Sequence, residues 1–425
     1  VFLDGPTGTG KTLIAELIRL DQGVRALYVC SDKSLQDQFA RDFPYAKVLK
    51  GRANYPTESN PNATAADCVA NRASDPCFHC EHGHAKCPYQ IAKRAALGAD
   101  LAVTNISYLL TEANYVGNFS GLDMVIVDEA DTLESQLMNF VEFRVAKRYM
   151  EMVRMEPPKK GARKTTIIRW LEDFHEAFEP MVKSERDLRA QRNMKGVLQA
   201  TKRVTDELRK ELRMREDPEA ADEDTGLWLR QYDRDDTFIM KPVKVSSMGA
   251  KYLWRHAKKW LIMSATLISS DEMADSLGLP WDYDTVMVPS TFPVENRPIY
   301  MTPIADMTYK NMKEGDAVQD ALYGIHSILM KYPKDRVLIH TVSYDLNEQI
   351  RYALTRGQYD VTDRGRRVYS YANSRERHDA LEGFKQSRVL SCWHRPWSEA
   401  STYQMTCAGY RSSPRFPTQV LQIGR

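Results

Sequence analysis

No apolar run in this 425-residue chain approaches the ~20 residues that a helix needs to cross a bilayer. A membrane partner is therefore not expected. No secretory leader is visible, although the chain opens at Val1 inside a strand-like run, so a longer natural protein is expected. Net charge is scarce too: 59 Lys and Arg stand against 57 Asp and Glu, leaving +2 at pH 7. So even a balance says little about partners, because a local basic groove can hide inside it. Cysteine is the next scarcity. Seven residues, three of them scattered, do not make a secreted disulfide framework, and a cytoplasmic protein is expected. What remains is 43% hydrophobic and 27% charged, the balance of an ordinary soluble globular protein with length for two or three domains.

The other four cysteines are crowded into "CVANRASDPCFHCEHGHAKC", Cys68 to Cys87. Their spacing is C-x8-C-x2-C-x6-C. Cys77 and Cys80 form one C-x2-C half of a zinc ribbon, and His79, His82 and His84 add possible zinc ligands. A ribbon wants two such halves, however, and iron–sulfur sites take four thiolates at looser spacing. The loop is too polar to bury four unliganded thiols. Spacing alone points to a metal and leaves iron–sulfur and zinc open.

"VFLDGPTGTGKTLIAELIRL" is a short apolar strand, a glycine-rich turn and an amphipathic helix. Gly5, Gly10, Lys11 and Thr12 satisfy G-x-x-x-x-G-K-[ST]. In such a turn the backbone N–H groups of Thr7, Gly8, Thr9 and Gly10 can face phosphate oxygens at the positive end of the following helix. Lys11 can reach the β- and γ-phosphates of ATP, and the Thr12 hydroxyl is a natural Mg2+ ligand. A second strand, "LDMVIVDEAD", ends in Asp128-Glu129-Ala130-Asp131. Leu122 and Met124–Val127 read as a buried parallel strand with its carboxylates at the C-terminal end, where ligands sit in open α/β sheets. Asp128 is the candidate magnesium holder, and Glu129 the candidate base for the attacking water. "RALYVCSD", "DLAVTN", "KWLIMSATL" and "DRVLIHTVS" repeat the same strand-then-polar punctuation, so the fold class is α/β around parallel sheets.

Gly5–Thr12, Asp128–Asp131 and Ser264-Ala265-Thr266 resemble the Walker A, Walker B and coupling motifs of superfamily 2 helicases. "SDKSLQDQFARDFP", "LKGRANYP" and the cysteines ending at Cys87-Pro88-Tyr89 are similar to the XPD/DinG branch. The resemblance covers residues 1 to about 390. It implies two RecA-like parallel-sheet motor domains with an inserted Fe–S domain and a helical arch. It also implies a [4Fe–4S] cluster on Cys68, Cys77, Cys80 and Cys87, with Zn2+ the alternative. ATP would drive movement along single-stranded or forked DNA, 5′ to 3′, by a monomer. Ser264 and Thr266 would couple hydrolysis to that movement, and Lys33, Ser34 and Gln36 would touch the DNA backbone. Two features depart from the family. Asp131 stands where His or Cys is common, and Thr57 stands where many relatives carry the first cysteine, which leaves Cys68 to supply that ligand.

The expected division is motor domain 1 at 1–50, 101–131 and 237–285, the Fe–S insertion at 51–100, and the arch at 132–236. A second, incomplete motor domain follows at 286–390. Within the arch, Met194, Val197, Leu198, Thr201, Val204, Leu208 and Leu212 recur at helical spacing, while "PPKKGARKT" and "REDPEAADEDTG" are polar loops. "FIMKPVKVSS" is expected to return the chain to the parallel sheet. "RPIYMTPI" is expected to open the second domain as a strand, followed by the helix "DALYGIHSILMKYP". In the family, ATP sits between two such lobes and an arginine of the second stabilises the transferring phosphate.

Residues 391–425 do not fit. They hold two tryptophans and no apolar period. Read in a frame shifted by two bases, Tyr403–Thr406 permits Pro-Asp-Asp and Pro414–Ile423 permits K-I-P-Y-P-S-L-A-D, both resembling family strings. A frame shift near Ser391 is therefore expected. Gln422–Arg425 is then a chance likeness to the helicase arginine motif, the genuine motif lies beyond the chain, and hydrolysis by this chain is expected to be weak or absent. The competing expectations are a zinc-containing RNA helicase or translocase, which Asp131 favours, and a nucleotide-gated single-strand-binding module without hydrolysis, which Glu129 opposes.

Overall fold

The computed structural model describes residues 1–31, 33–57, 62–68, 86–159, 162–216, 228–232, 237–267, 269–290, 292–293, 295, 299–301, 303–333, 335–341, 343–371, 376–386, 390–394 and 419–422. The chain divides into two compact units: Val1–Pro6 with Gly10–Val288, and Thr7–Thr9 with Pro289–Arg425.

The first unit carries strands β1 (Phe2–Asp4), β2 (Ala26–Cys30), β3 (Lys47–Val48), β4 (Leu101–Asn105) and β5 (Leu122–Asp128). These are followed by β6 (Phe143–Val145), β7 (Trp228–Tyr232), β8 (Phe238–Pro242), β9 (Ala257–Ser264) and β10 (Thr285–Met287). Seven of them form one sheet in the order β10-β1-β9-β5-β2-β4-β3, with every pairing parallel. The central strands are apolar on both faces because both faces are covered. Alternate residues divide between two cores, with Leu27, Val29, Val125, Val127 and Ile262 in one. Tyr28, Cys30, Met124, Ile126 and Met263 lie in the other. Helices α1 (Lys11–Gln22), α2 (Lys33–Asp42), α3 (Pro88–Leu97), α4 (Ile106–Thr111) and α5 (Leu133–Val141) belong to this layered body. It is an α/β, RecA-like fold.

The chain leaves this body later than its sequence suggests. Helix α5 keeps Leu133, Leu137 and Val141 in the core of the parallel sheet. Only then come α6 (Lys147–Met152), α7 (Lys164–Ser184) and α8 (Leu188–Glu216). "FIMKPVKVSS" does not rejoin the parallel sheet. Its strand β8 pairs antiparallel with β6 and β7 in a separate three-stranded sheet. Phe238 and Met240 are buried with the helices of the insertion, whose apolar core supplies their partners. The insertion thus runs from Phe143 to Pro242 rather than over 132–236. Its core is aromatic: Trp170 stacks on Phe174 at 5.3 Å, and Phe174 on Phe178 at 5.0 Å. In α8, Met194, Thr201, Val204 and Leu208 are buried and Val197, Leu198 and Leu212 pack partly against the same core. The segment 217–227, which holds most of "REDPEAADEDTG", lies outside the described residues.

The second unit has a four-stranded parallel sheet of β11 (Val337–Thr341), β12 (Val368–Tyr369), β13 (Leu390–His394) and β14 (Gln419–Gln422), in the order β12-β13-β11-β14. Helices Ala317–Lys331 and Tyr344–Thr355 pack on it through Ile325, Leu329, Leu346 and Ile350. One expectation changes here: "RPIYMTPI" forms no strand among its described residues, and Ile299, Tyr300 and Met301 are largely exposed. Of the segment expected to be out of frame, most of β13 and all of β14 are hydrogen-bonded to β11. No described helix is long and apolar enough to cross a membrane.

Candidate nucleotide-binding site

The site is built where β1, β5 and β9 end together. Asp4 lies opposite Ser264, and Asp128 opposite Met263, so the polar residues that follow these strands emerge side by side. The Gly5 N–H donates to the Ser264 carbonyl at 3.3 Å, tying the start of the turn to β9. Gly8 and Gly10 then take φ of 86° and 79°, backbone angles that a side chain disfavours, and α1 begins at Lys11. Thr7, Gly8 and Thr9 form the apex of the turn, with Gly8 exposed.

Lys11 is 1% exposed. Its ammonium donates to the carbonyl oxygens of Gly5 at 2.8 Å and Pro6 at 3.4 Å. Burial lowers its pKa, while the carboxylates of Asp128, Glu129 and Asp4 pull the other way. Asp128 is buried, and burial raises its pKa against the opposing effects of Tyr28, Lys11 and the Glu129 N–H. Its Oδ1 accepts from the Glu129 backbone at 3.0 Å and its Oδ2 from the Tyr28 hydroxyl at 2.6 Å. Glu129 is buried and sits at φ 54°, a left-handed conformation uncommon for a residue with a side chain. Such strain persists where the surroundings enforce it, as they often do at functional sites.

The fourth acidic residue is joined to the coupling motif. Ser264 is fully buried and its hydroxyl donates to Asp131 Oδ1 at 3.0 Å. The Thr266 N–H donates back to Ser264 Oγ at 3.2 Å, with the Thr266 hydroxyl also 3.2 Å away. The structure therefore brings together Gly5, Gly10, Lys11, Thr12, Asp128, Glu129, Ser264 and Thr266. Sequence reasoning missed Tyr28. The signal was available, since a phenol inside the apolar string "ALYVC" needs a buried hydrogen-bond partner.

The residues read as DNA contacts are placed unevenly. Lys33 is exposed on the first turn of α2, and the side chain of Ser34 lies outside the described residues. Gln36 is fully buried, with neither amide atom hydrogen-bonded. A side chain enclosed by the core cannot reach a DNA backbone in this conformation, which corrects its reading as a contact.

Of the cysteines, Cys77 and Cys80 lie outside the described residues, as do the three histidines. Cys68 and Cys87 flank that segment and are both buried, at 6% and 7% exposure. Arg52 donates to the Cys68 carbonyl at 2.6 Å and lies over the Tyr89 ring. Cys87 caps α3, whose first residue is Pro88. Among the described residues no cluster of ligands is assembled. The two enclosed thiols fit a thiolate-bound metal and do not distinguish iron–sulfur from zinc.

A glycine turn, a buried lysine, a paired Asp-Glu and a hydroxyl-linked acidic box on a RecA-like sheet are the parts of a P-loop nucleotide-binding domain. Residues 1–165 match the model of the DEAD/DEAH box helicase family. A solved structure titled XPD apo is similar over 100% of this chain and 80% of its own, with a TM-score of 0.51 at 15% identity. At that identity the likeness is one of fold. Xpd4 of S. tokodaii is also similar, over 92% of this chain and 76% of its own, with a TM-score of 0.46 at 15% identity. No curated protein matches the sequence.

Proposed function

We propose that this chain carries the nucleotide-binding lobe of an ATP-driven translocase on single-stranded DNA, moving 5′ to 3′, with the hydrolytic centre at the ends of β1, β5 and β9. The observation that supports it is the meeting of Lys11, Asp128 and Glu129 with the Asp131–Ser264 link. The backbone N–H groups of Thr7 to Gly10 receive the phosphates, and Lys11 turns from the Gly5 and Pro6 carbonyls to the β- and γ-oxygens. Thr12 and Asp128 are the hard oxygen donors that hold Mg2+, which when bound neutralises charge on those oxygens. Glu129 takes a proton from water as the water attacks the γ-phosphorus and the bond to the β-phosphate oxygen breaks. Ser264 passes the state of the acidic box to Thr266. Lys33 and Ser34 are the strand contacts, positioning the backbone without reading bases.

The test is binding of a fluorescent ATP analogue with magnesium, together with anisotropy of labelled single-stranded DNA and RNA. Magnesium-dependent binding that weakens in Lys11→Ala and Asp128→Asn, and that changes affinity for DNA, is the expected result. No nucleotide binding by the folded chain would overturn the proposal. A preference for RNA would favour a zinc-bearing RNA motor, the reading that Asp131 supports. Anaerobic purification decides the metal: about four irons and four sulfides per chain support the cluster, and one zinc without sulfide overturns it.

A further inference from the structure

Tyr28 has no part in the chemistry just described, yet it holds one of its groups and lies beside another. It stands in the middle of β2 and is 2% exposed, between Leu27 and Val29, which are fully buried. Its hydroxyl donates to Asp128 Oδ2 at 2.6 Å. The Thr12 side chain lies close to the same phenol. Tyr28 therefore stands between a residue at the start of α1 and the acid at the end of β5, and its hydroxyl holds that acid directly. The other oxygen of Asp128 is held by the Glu129 N–H at 3.0 Å, so the carboxylate is fixed at both atoms. The phenol is itself held. Phe39 of α2 lies against its ring at a 4.0 Å centroid distance, and Phe43 backs Phe39 at 4.7 Å.

We propose that Tyr28 is a positioning residue for magnesium, setting the rotamer and separation of Thr12 and Asp128 before the metal–nucleotide complex arrives. This rests on the nucleotide-binding reading above. Magnesium demands near-ideal octahedral geometry at ~2.0–2.1 Å, whereas calcium accepts longer and more varied distances. Loosening Thr12 and Asp128 should therefore harm magnesium more than calcium. A purely structural role for the phenol would lower thermal stability and leave the cation requirement alone.

The experiment titrates MgCl2, and separately CaCl2, into the chain with a fixed concentration of fluorescent ATP analogue. Tyr28→Phe keeps the ring and its packing on Phe39 and removes only the hydroxyl. Its magnesium midpoint should rise on the order of tenfold, the scale of a hydrogen bond to a charged group. The calcium midpoint should rise less, and binding in EDTA should stay within about twofold. Phe39→Leu, which keeps the hydroxyl and frees the ring, should shift the magnesium midpoint the same way by a smaller factor. It carries the test should Tyr28→Phe fail to fold. An unchanged or lower magnesium midpoint in a folded variant overturns the inference while leaving the functional reading intact. Absence of any magnesium-dependent binding by the native chain overturns that reading, and this one with it.

Discussion

The parallel-sheet body and the insertion from Phe143 to Pro242 bury polar groups in opposite ways. In the insertion, buried polar side chains are satisfied close to home. Thr201 donates to the Val197 carbonyl and Thr205 to the Thr201 carbonyl, one helical turn back. Glu211 pairs with Lys164 of the neighbouring helix. In the sheet body, Lys11, Asp128, Glu129 and Ser264 come from segments more than a hundred residues apart and converge at one edge. Gathering buried charge there costs folding free energy unless something else gains from it. A body that concentrates charge at strand ends is arranged for a charged ligand. One that pairs buried groups such as Thr201, Thr205 and Glu211 with near neighbours is arranged for stiffness.

Two substitutions test that division. In the insertion, Phe174→Ala should cost about 3–5 kcal/mol, because it empties the centre of the Trp170–Phe174–Phe178 stack. Chemical denaturation measures the loss, and nucleotide affinity in the surviving folded fraction should be unchanged. In the sheet body, Lys11→Ala should weigh mainly on nucleotide. Its ammonium donates to carbonyls of the turn beside the carboxylates of Asp128, Glu129 and Asp4, so some stability is lost, while nucleotide affinity in the folded fraction should fall roughly 10- to 100-fold. A nucleotide defect in Phe174→Ala of the same size would break the comparison.

The two regions also differed in how much could be read from the sequence. In the sheet body, phosphate and magnesium chemistry demands particular residue types at particular spacings, so Gly5–Thr12 and Asp128–Glu129 were legible. Glu129's left-handed backbone was not. The phenol of Tyr28 inside "ALYVC" called for a buried partner, but which acid it meets depends on what lies across the sheet. In the insertion, helical periodicity exposed α8, but the boundaries at Phe143 and Pro242 were hidden. "FIMKPVKVSS" is as apolar as a parallel strand. Only its partner β6, almost a hundred residues earlier, decides which sheet it joins. Gln36 failed for a related reason: a polar residue at helical spacing does not say which way its face turns.

A third test uses pH on the sheet body. His256 is buried, with Nδ1 3.2 Å from the Ser120 hydroxyl and Nε2 3.1 Å from Asn114 Oδ1. Burial, with Arg255 beside it, pushes its pKa down to about 4. The unfolded chain takes up this proton first as pH falls, at the ordinary histidine pKa of about 6.5. Stability from the neutral ring is therefore whole above that value and lost as pH drops toward about 4, by about 2–3 kcal/mol. The difference between native and His256→Gln denaturation midpoints should follow that window. A flat difference would show that the ring is not held neutral.

The smallest expected effect lies at the joint between acid and coupling motif. Ser264→Ala removes a donor to Asp131 at 3.0 Å and the acceptor for the Thr266 N–H at 3.2 Å. Asp131 is exposed, so water replaces the lost bond and the stability cost should be about 1 kcal/mol. Asp131→Asn keeps an acceptor but loses its charge, and should cost less. If the two residues act through their shared bond, their effects on the nucleotide-dependent change in DNA affinity should not add. A double-mutant cycle measures this directly. Strict additivity would mean that the bond stabilises the sheet edge without linking the acidic box to Thr266. The sheet body would then hold its charges for nucleotide alone, which would narrow the contrast with the insertion to binding.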